Sequence, residues 1–193
     1  MSKLVALIGF CAAGKDTIKD ILSNDHKYSV CINHTTRPIR PSELDGREYN
    51  FINKDTFNTM RESKEFAGVP REYTTLVNGI EDTWYYGTSK TELVVDKNKV
   101  IVLDLQGYLN LKKEVRDNML GFFISVDEET RRTRCIKRGD FNREEWCRRA
   151  KDDRKIINEL SSVIKKDKNL YIVNYSEAQD CARYINKKVN SLT

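Results

Sequence analysis

The sequence predicts an α/β fold, with a parallel β-sheet core flanked by helices and a side lobe attached to it. Three observations carry this. Four short apolar runs, Lys3 to Ile8, Val100 to Leu105, Gly121 to Val126 and Leu170 to Val173, lack the alternation of a half-exposed strand. Such runs mark strands covered on both faces. Segments with helical spacing separate them, which is the rhythm of parallel strands joined by crossover helices. The stretch from about 33 to 90 breaks that rhythm, with turn signals at Pro38, Pro41, Asp45-Gly46 and Asn78-Gly79, and is expected to form the lobe.

The elements follow in order. After the first strand, Gly9 to Gly14 is a turn, and Lys15 to Leu22 places Ile18, Ile21 and Leu22 on one helical face. Asp127 can cap a helix running through Lys137. Asn142, followed by Glu145, can cap a long helix from Arg143 to about Lys165. Ser176 and Gln179 form a capping-box pattern for the last helix, to about Val189.

Composition bounds the function. A chain of 193 residues with 39% hydrophobic residues can build one ordinary core. Lys plus Arg (34) exceeds Asp plus Glu (29) by five. A basic excess suits nucleic acid, a membrane surface or a phosphorylated small molecule. Leu4 to Ile8 is too short to span a membrane and lacks the pattern of a cleaved signal. The five Cys are widely spaced with no Cys-x-x-Cys, and His26 and His34 are the two His. A disulfide framework, a structural zinc site and a His-rich metal centre are therefore not expected. The expectation is a soluble, cytoplasmic protein.

The strongest chemical signal is Gly9-Phe10-Cys11-Ala12-Ala13-Gly14-Lys15-Asp16-Thr17. It follows an apolar strand and opens a helix, the context that a Walker A phosphate loop requires. Small residues let successive N–H groups turn toward phosphate oxygens, and the helix N-terminus adds partial positive charge. Lys15 supplies a mobile full charge. The hydroxyl residue expected after the Lys is Asp16, with Thr17 next. Either Thr17 takes the Mg²⁺-binding role, or Asp16 holds a Mg²⁺-bound water or favours the helix N-terminus.

A second cluster runs Thr35-Thr36-Arg37-Pro38-Ile39-Arg40 through Glu43, Gly46 and Tyr49-Asn50-Phe51. Two Arg and a Tyr hydroxyl converging on one phosphate make a sensible anion site. This segment, the phosphate loop, Tyr85-Tyr86-Gly87-Thr88 and Asp104-Leu105-Gln106-Gly107 resemble the guanylate kinases in the same order over nearly the whole chain. The resemblance implies a P-loop NTPase-type parallel β-sheet core flanked by helices, with a small mixed nucleoside-monophosphate-binding lobe and a helical lid. It divides the single domain 1–193 into a core (1–32, 91–130 and 156–193), an acceptor lobe (33–90) and a lid (131–155).

Residue by residue, the resemblance implies that Gly9, Ala12, Ala13, Gly14, Lys15, Asp16 and Thr17 bind ATP. Arg37, Arg40 and Tyr49 would hold the phosphate of GMP with help from Tyr86. Asn33 and Thr88 would contact the base. Asp104, at a strand end, would face the acceptor and, with Thr17, Mg²⁺. The acid that reads guanine in the family falls at Gly68 in an ungapped alignment, or at Glu72 if part of an insertion of about nine residues precedes it. Glu72 is the preferred assignment. A second family acid is replaced by Val102.

Residues 131–155 contain eleven Lys/Arg and five Asp/Glu. The excess of six is larger than the net charge of the whole chain. Most of these residues read as a solvated helical surface. The resemblance picks out Arg134, Arg138 and Arg149, with Arg148 as the alternative to Arg149, as lid arginines around the phosphates in transit. Fixed guanidinium groups suit that task, because phosphoryl transfer spreads negative charge over several oxygens.

The implied reaction is ATP plus GMP, and dGMP, giving ADP plus GDP with Mg²⁺. The expected partners are these small molecules, with no nucleic acid, no membrane, and a monomer or homodimer. The rivals are a kinase of the same superfamily acting on another nucleoside monophosphate or on ribose 1,5-bisphosphate, a non-catalytic guanylate-kinase-like interaction module, and a nucleic-acid-binding protein.

Overall fold

A computed structural model describes residues 2–192 apart from 42, 78, 79, 140 and 176; the side chains of 76–80, 156–161 and 163–166 also lie outside the description. The chain runs β1 (Leu4–Ile8), α1 (Lys15–His26), β2 (Ser29–Val30), β3 (His34–Thr35), β4 (Asn50–Phe51), α2 (Lys54–Glu62), β5 (Arg71–Val77) and β6 (Ile80–Gly87). After a short 3₁₀ turn come β7 (Lys99–Leu103), α3 (Leu105–Asn110), α4 (Lys113–Asp117), β8 (Met119–Ser125), α5 (Glu128–Arg138), α6 (Arg143–Lys166), β9 (Leu170–Asn174) and α7 (Ala178–Ser191).

Two sheets result. The larger has the order β2-β7-β1-β8-β9, and all its pairings are parallel. Successive residues of β1 point to opposite faces. Leu4, Ala6 and Ile8 enter a core with Ile101, Leu103, Tyr108 and Phe123. Val5 and Leu7 enter another with Ile18, Leu22, Ile185 and Val189 from α1 and α7. A strand buried on both sides must be apolar throughout, which explains the unbroken run.

The second sheet has the order β4-β3-β6-β5 and is mixed: β3 pairs parallel with β4 and antiparallel with β6. It occupies the stretch that lacked the alternating rhythm. Its own centre is Phe57 on α2, fully buried, with ring centroids 4.6 Å from Phe66 and 5.5 Å from Tyr85. The Asn53 side chain caps α2 by accepting from the Thr56 N–H at 2.8 Å.

Several boundaries differ from expectation. The strand expected to reach Leu105 stops at Leu103. Asp104 accepts the Gly107 N–H at 2.6 Å and so starts α3, with Leu105 as its first residue. Leu105 still packs into the same core, so the apolar run continues past the strand. Asp127 and Asn142 accept from Thr130 N–H and Glu145 N–H as expected. The capping role given to Ser176 lies outside the described residues, while Gln179 donates to Asp25 at 3.0 Å and ties α7 to α1. α6 runs unbroken through residues 155 and 156, so the lid boundary placed there falls inside a helix.

Phe57→Ala should destabilise the protein by about 3–5 kcal/mol, the usual cost of removing a buried aromatic. Urea unfolding checks this.

Candidate active site

The functional residues gather at the C-terminal ends of the parallel strands, where ligands bind in open α/β sheets. The register pairs Ile8 with Leu103. The next residues, Gly9 and Asp104, therefore emerge on the same edge. A cleft of about 320 Å³ opens there, lined by Gly9, Lys15, Arg37, Tyr86, Asp104 and Arg149 among others, a size suited to small molecules.

The phosphate loop is built as its sequence requires. Gly14 adopts φ +91°, and a Cβ there would lie 2.5 Å from the Tyr175 hydroxyl oxygen. That hydroxyl donates to the Ala13 carbonyl at 2.8 Å. Arg134 Nη1 donates to the carbonyls of Ala12 (3.4 Å) and Ala13 (3.2 Å). Gly9, Ala12, Lys15 and Asp16 line the cleft, whereas Ala13 is buried and Gly14 and Thr17 are not on its wall. The Lys15 ammonium donates to the carbonyls of Gly9 and Phe10, both at 2.8 Å. Loss of hydration pushes its pKa down, against the attraction of Asp16 and Cys11.

Two assignments change here. Thr17, expected to reach a metal, is exposed on α1 and off the cleft wall. The helix turns it outward and presents Asp16 instead, with Lys19 Nζ 3.6 Å from its carboxylate. Arg134, expected among the phosphates in transit, is also off the wall and braces the loop carbonyls.

The acceptor side is organised by Glu43. Its carboxylate takes two hydrogen bonds from Arg37 Nη2, at 2.8 and 2.9 Å, and one from the Arg40 N–H at 2.9 Å. Burial pushes this carboxyl up, but the Arg37 hydrogen bond, the Arg40 N–H and both guanidinium charges more than offset that and hold it below the carboxylate range. Arg37 is buried beneath the Tyr49 and Phe51 rings, at 5.6 and 5.4 Å. Tyr49 meets Tyr86 edge-on at 6.0 Å. Burial raises both phenols, so each stays a hydrogen-bond donor.

At the other end of the lobe, Asn33 Nδ2 donates to the Val102 carbonyl (2.9 Å) and its Oδ1 accepts from the Thr88 hydroxyl (2.7 Å). Both residues line the cleft. Glu72 does not. It sits on β5 between Arg71 and Tyr73, which face the cleft, so strand alternation turns it outward. Its side chain is 60% exposed, 3.7 Å from Arg61. The alternative position is closed as well: a Cβ on Gly68 would lie 2.1 Å from the Asn110 carbonyl oxygen. Neither alignment brings a carboxylate into the cleft. Arg71, which the sequence reading passed over, enters the cleft and pairs with Asp104.

Helices α5 and α6 contribute Arg138 and Arg149, both on the cleft wall. Arg149 Nε donates to Glu145 Oε1 (2.5 Å) and the Tyr73 hydroxyl (3.1 Å), and its Nη1 donates to Cys11 Sγ (3.3 Å). Arg148 instead lies over the Tyr73 ring at 4.6 Å. Arg131, read as surface, is buried: it pairs with Asp153 at 2.7 Å and packs 5.0 Å from the Phe10 ring. Only the spacing of Arg131 from Cys135 on one helical face signalled this.

Glu43→Gln should cost about 1–3 kcal/mol of stability at neutral pH, because it leaves Arg37 buried without its partner charge. The Glu43 pKa is depressed in the fold. Its contribution is thus complete above the unfolded value, near 4.3, and is lost as pH falls through the lower folded value. Unfolding measured from pH 7 downward should show the two proteins converging below about pH 4.

Comparison with known proteins agrees with this geometry. The guanylate kinase family model matches residues 1–174. A guanylate kinase of Lactococcus lactis is 30% identical over 173 residues, 86% of this chain and 80% of that protein. One from Clostridium perfringens is 29% identical over 194 residues, 98% and 81%. The crystal structure of guanylate kinase from Anaplasma phagocytophilum superimposes with a TM-score of 0.65 at 20% identity, covering 98% of this chain and 85% of that one, a likeness of fold. With the family model spanning both the phosphate loop and the Arg37–Tyr49 cluster, the chain belongs to the guanylate kinase family.

Proposed function

We propose that the protein transfers the γ-phosphoryl group of ATP to GMP, and to dGMP, as a guanylate kinase. One observation carries the reading: a single cleft holds Lys15, Arg138 and Arg149 on one side and Arg37, Tyr49 and Tyr86 on the other. Two phosphate-bearing substrates meeting there would be aligned for in-line transfer. The acceptor phosphate has a second pKa near 6, so it is already anionic and needs no strong general base. Lys15 would exchange its two loop carbonyls for phosphate oxygens, and the guanidinium groups would meet the charge spreading over the transferred group.

Among the described residues, no group of three or more His, Cys, Asp or Glu could hold a metal alone. Magnesium typically keeps its waters and is held by substrate phosphates with one or two carboxylates. Asp16 and Asp104, both on the cleft wall, fit that part, and the ion would neutralise phosphate charge. The functional division into core, acceptor lobe (33–90) and lid (131–155) belongs to the same reading, as does a cytoplasmic monomer or homodimer that acts on small molecules. Among the described residues no helix is long and apolar enough to cross a membrane.

A second reading has an observation behind it. Glu72 faces solvent and Gly68 has no room for a side chain, so guanine's two donor groups lose the expected acceptor. A kinase for another nucleoside monophosphate fits that absence. Turnover assays with GMP, dGMP, AMP, dTMP and ribose 1,5-bisphosphate decide. The favoured reading expects GMP and dGMP to be preferred, and no turnover of either would sink it.

Lys15→Ala should lower kcat by about 10²–10³-fold, the usual scale for losing a fixed charge at the reacting group. GMP affinity by calorimetry should stay close to that of the parent. Glu72→Gln should leave the KM for GMP unchanged. Arg71→Ala should lower kcat/KM about ten- to a hundredfold, the equivalent of one charge-assisted hydrogen bond.

A further inference from the structure

Of the five cysteines, Cys31 and Cys181 are buried, and burial pushes both thiols up to about 12. Cys147 is exposed on α6. Cys11 differs from all of these. It stands in the phosphate loop, on the cleft wall, and takes the Arg149 Nη1 hydrogen bond at 3.3 Å. Arg131, which meets the Cys11 carbonyl, and Cys135 lie one turn apart on α5, so the loop at Cys11 packs against the turn that carries Cys135, and the two side chains interact. Arg138 Nη2 lies 3.9 Å from Cys135 Sγ. Arg131 donates to the Cys11 carbonyl at 3.4 Å and holds this part of the loop against α5. The Cys135 contact, together with the charges of Arg149, Lys15 and Arg138, outweighs burial and holds the Cys11 thiol well below its ordinary range. A thiolate beside guanidinium groups in an open cleft is the reactive form of cysteine.

We propose that Cys11 and Cys135 form a peroxide-reactive thiol pair, and that the disulfide between them closes the phosphate loop to nucleotide. The substrate is a hydroperoxide, with hydrogen peroxide as the simplest member. The Cys11 thiolate attacks one peroxide oxygen. A sulfur–oxygen bond forms, the oxygen–oxygen bond breaks and hydroxide leaves, giving a sulfenic acid. The Cys135 sulfur then attacks Cys11 Sγ. The sulfur–sulfur bond forms, the sulfur–oxygen bond breaks, and the departing hydroxide takes the Cys135 proton. In sum, two thiols and one peroxide give one disulfide and two waters.

The cations that stabilise the Cys11 thiolate are Lys15, Arg138 and Arg149. These are the groups assigned above to the phosphates. Thiolate and nucleotide therefore compete for the same charges. Bound ATP withdraws them and quiets the thiol, and by linkage any change at Cys11 that favours the nucleotide-free loop weakens ATP binding. This consequence for activity rests on the reading of the loop as an ATP site; the thiol chemistry does not.

The test uses the full chain, reduced, desalted and treated with one equivalent of hydrogen peroxide. Two of the five thiols should be lost and the intact mass should fall by about 2 Da. A non-reduced digest should yield one cross-link, Cys11 to Cys135. ATP should slow the loss about tenfold or more, and dithiothreitol should restore both thiols and ATP binding measured by calorimetry. Cys147→Ser should form the same cross-link. Cys135→Ser should stop at a product about 16 Da heavier at Cys11, and Cys11→Ser should keep its Cys135 thiol. A cross-link through Cys147, over-oxidation of Cys11 without a cross-link, or an unchanged thiol count would overturn the proposal. A cross-link in a protein that phosphorylates no nucleotide would leave the thiol pair standing and remove the kinase reading alone.

Discussion

The arrangement rests on one electrostatic problem: several full positive charges stand around one cleft and must be held apart and in place before any phosphate enters. At short range and low dielectric such charges repel by several kcal/mol per pair. Five of these cations have a local counterweight. Arg37 has Glu43, Arg71 has Asp104, Arg131 has Asp153, and Arg149 has Glu145. Lys15 leans on two carbonyls. These partners stand in for phosphate oxygens. A buried ion pair contributes little net stability, so what they chiefly supply is position. A guanidinium already locked in place costs less to order when a phosphate enters.

The scaffold makes this possible by placing loops, not sheet interiors, around the cleft. Parallel strands all end on one edge, so β1 delivers the phosphate loop and β7 delivers Asp104 side by side. α1 then begins at Lys15 and aims its N-terminal partial charge at the same space. The mixed sheet supplies Tyr86 from β6, and the loop between β3 and β4 supplies Arg37 and Tyr49, beside a separate small core around Phe57. The two halves are joined at the bridge between Gly68 and Leu111, where any side chain at 68 would strike backbone. Close approach of two backbones, rather than base recognition, is the demand on that residue.

What could be read from sequence follows from the range of the interactions involved. Four of the five strands of the parallel sheet, the phosphate loop and the caps at Asp127 and Asn142 depend on near neighbours, and they were legible; β2, two residues long, was not. Glu72 was not, because its direction depends on the phase of β5, and that phase is set by pairing Arg71 with Tyr86 across the β5–β6 hairpin. Shifting a strand by one residue exchanges its faces. The residue that enters the cleft is thus Arg71, next to the one expected. Thr17 failed for the helical counterpart of the same reason: one position along α1 is about 100° of rotation. Arg131 was hidden by its neighbours, since a run of basic residues looks solvated until one of them is buried against Phe10 and Trp146.

The β5–β6 hairpin also connects the two sides of the cleft. Tyr73 on β5 stacks on Trp84 at 6.2 Å, and its ring lies under Arg148. Its hydroxyl is bonded to Glu145 and receives the Arg149 Nε hydrogen bond. One side chain of the mixed sheet therefore touches the residues of α6 that hold Arg149. Glu145 and the Tyr73 hydroxyl take only the Nε–H of Arg149, and a guanidinium carries five N–H donors, so its Nη side stays turned to other acceptors. In the proposed reaction, the Tyr73 and Glu145 contacts would hold the Arg149 Nε edge in place while its Nη edge meets phosphate oxygens. A hairpin that ended at Arg71 would leave the Arg149 Nε edge to α6 alone.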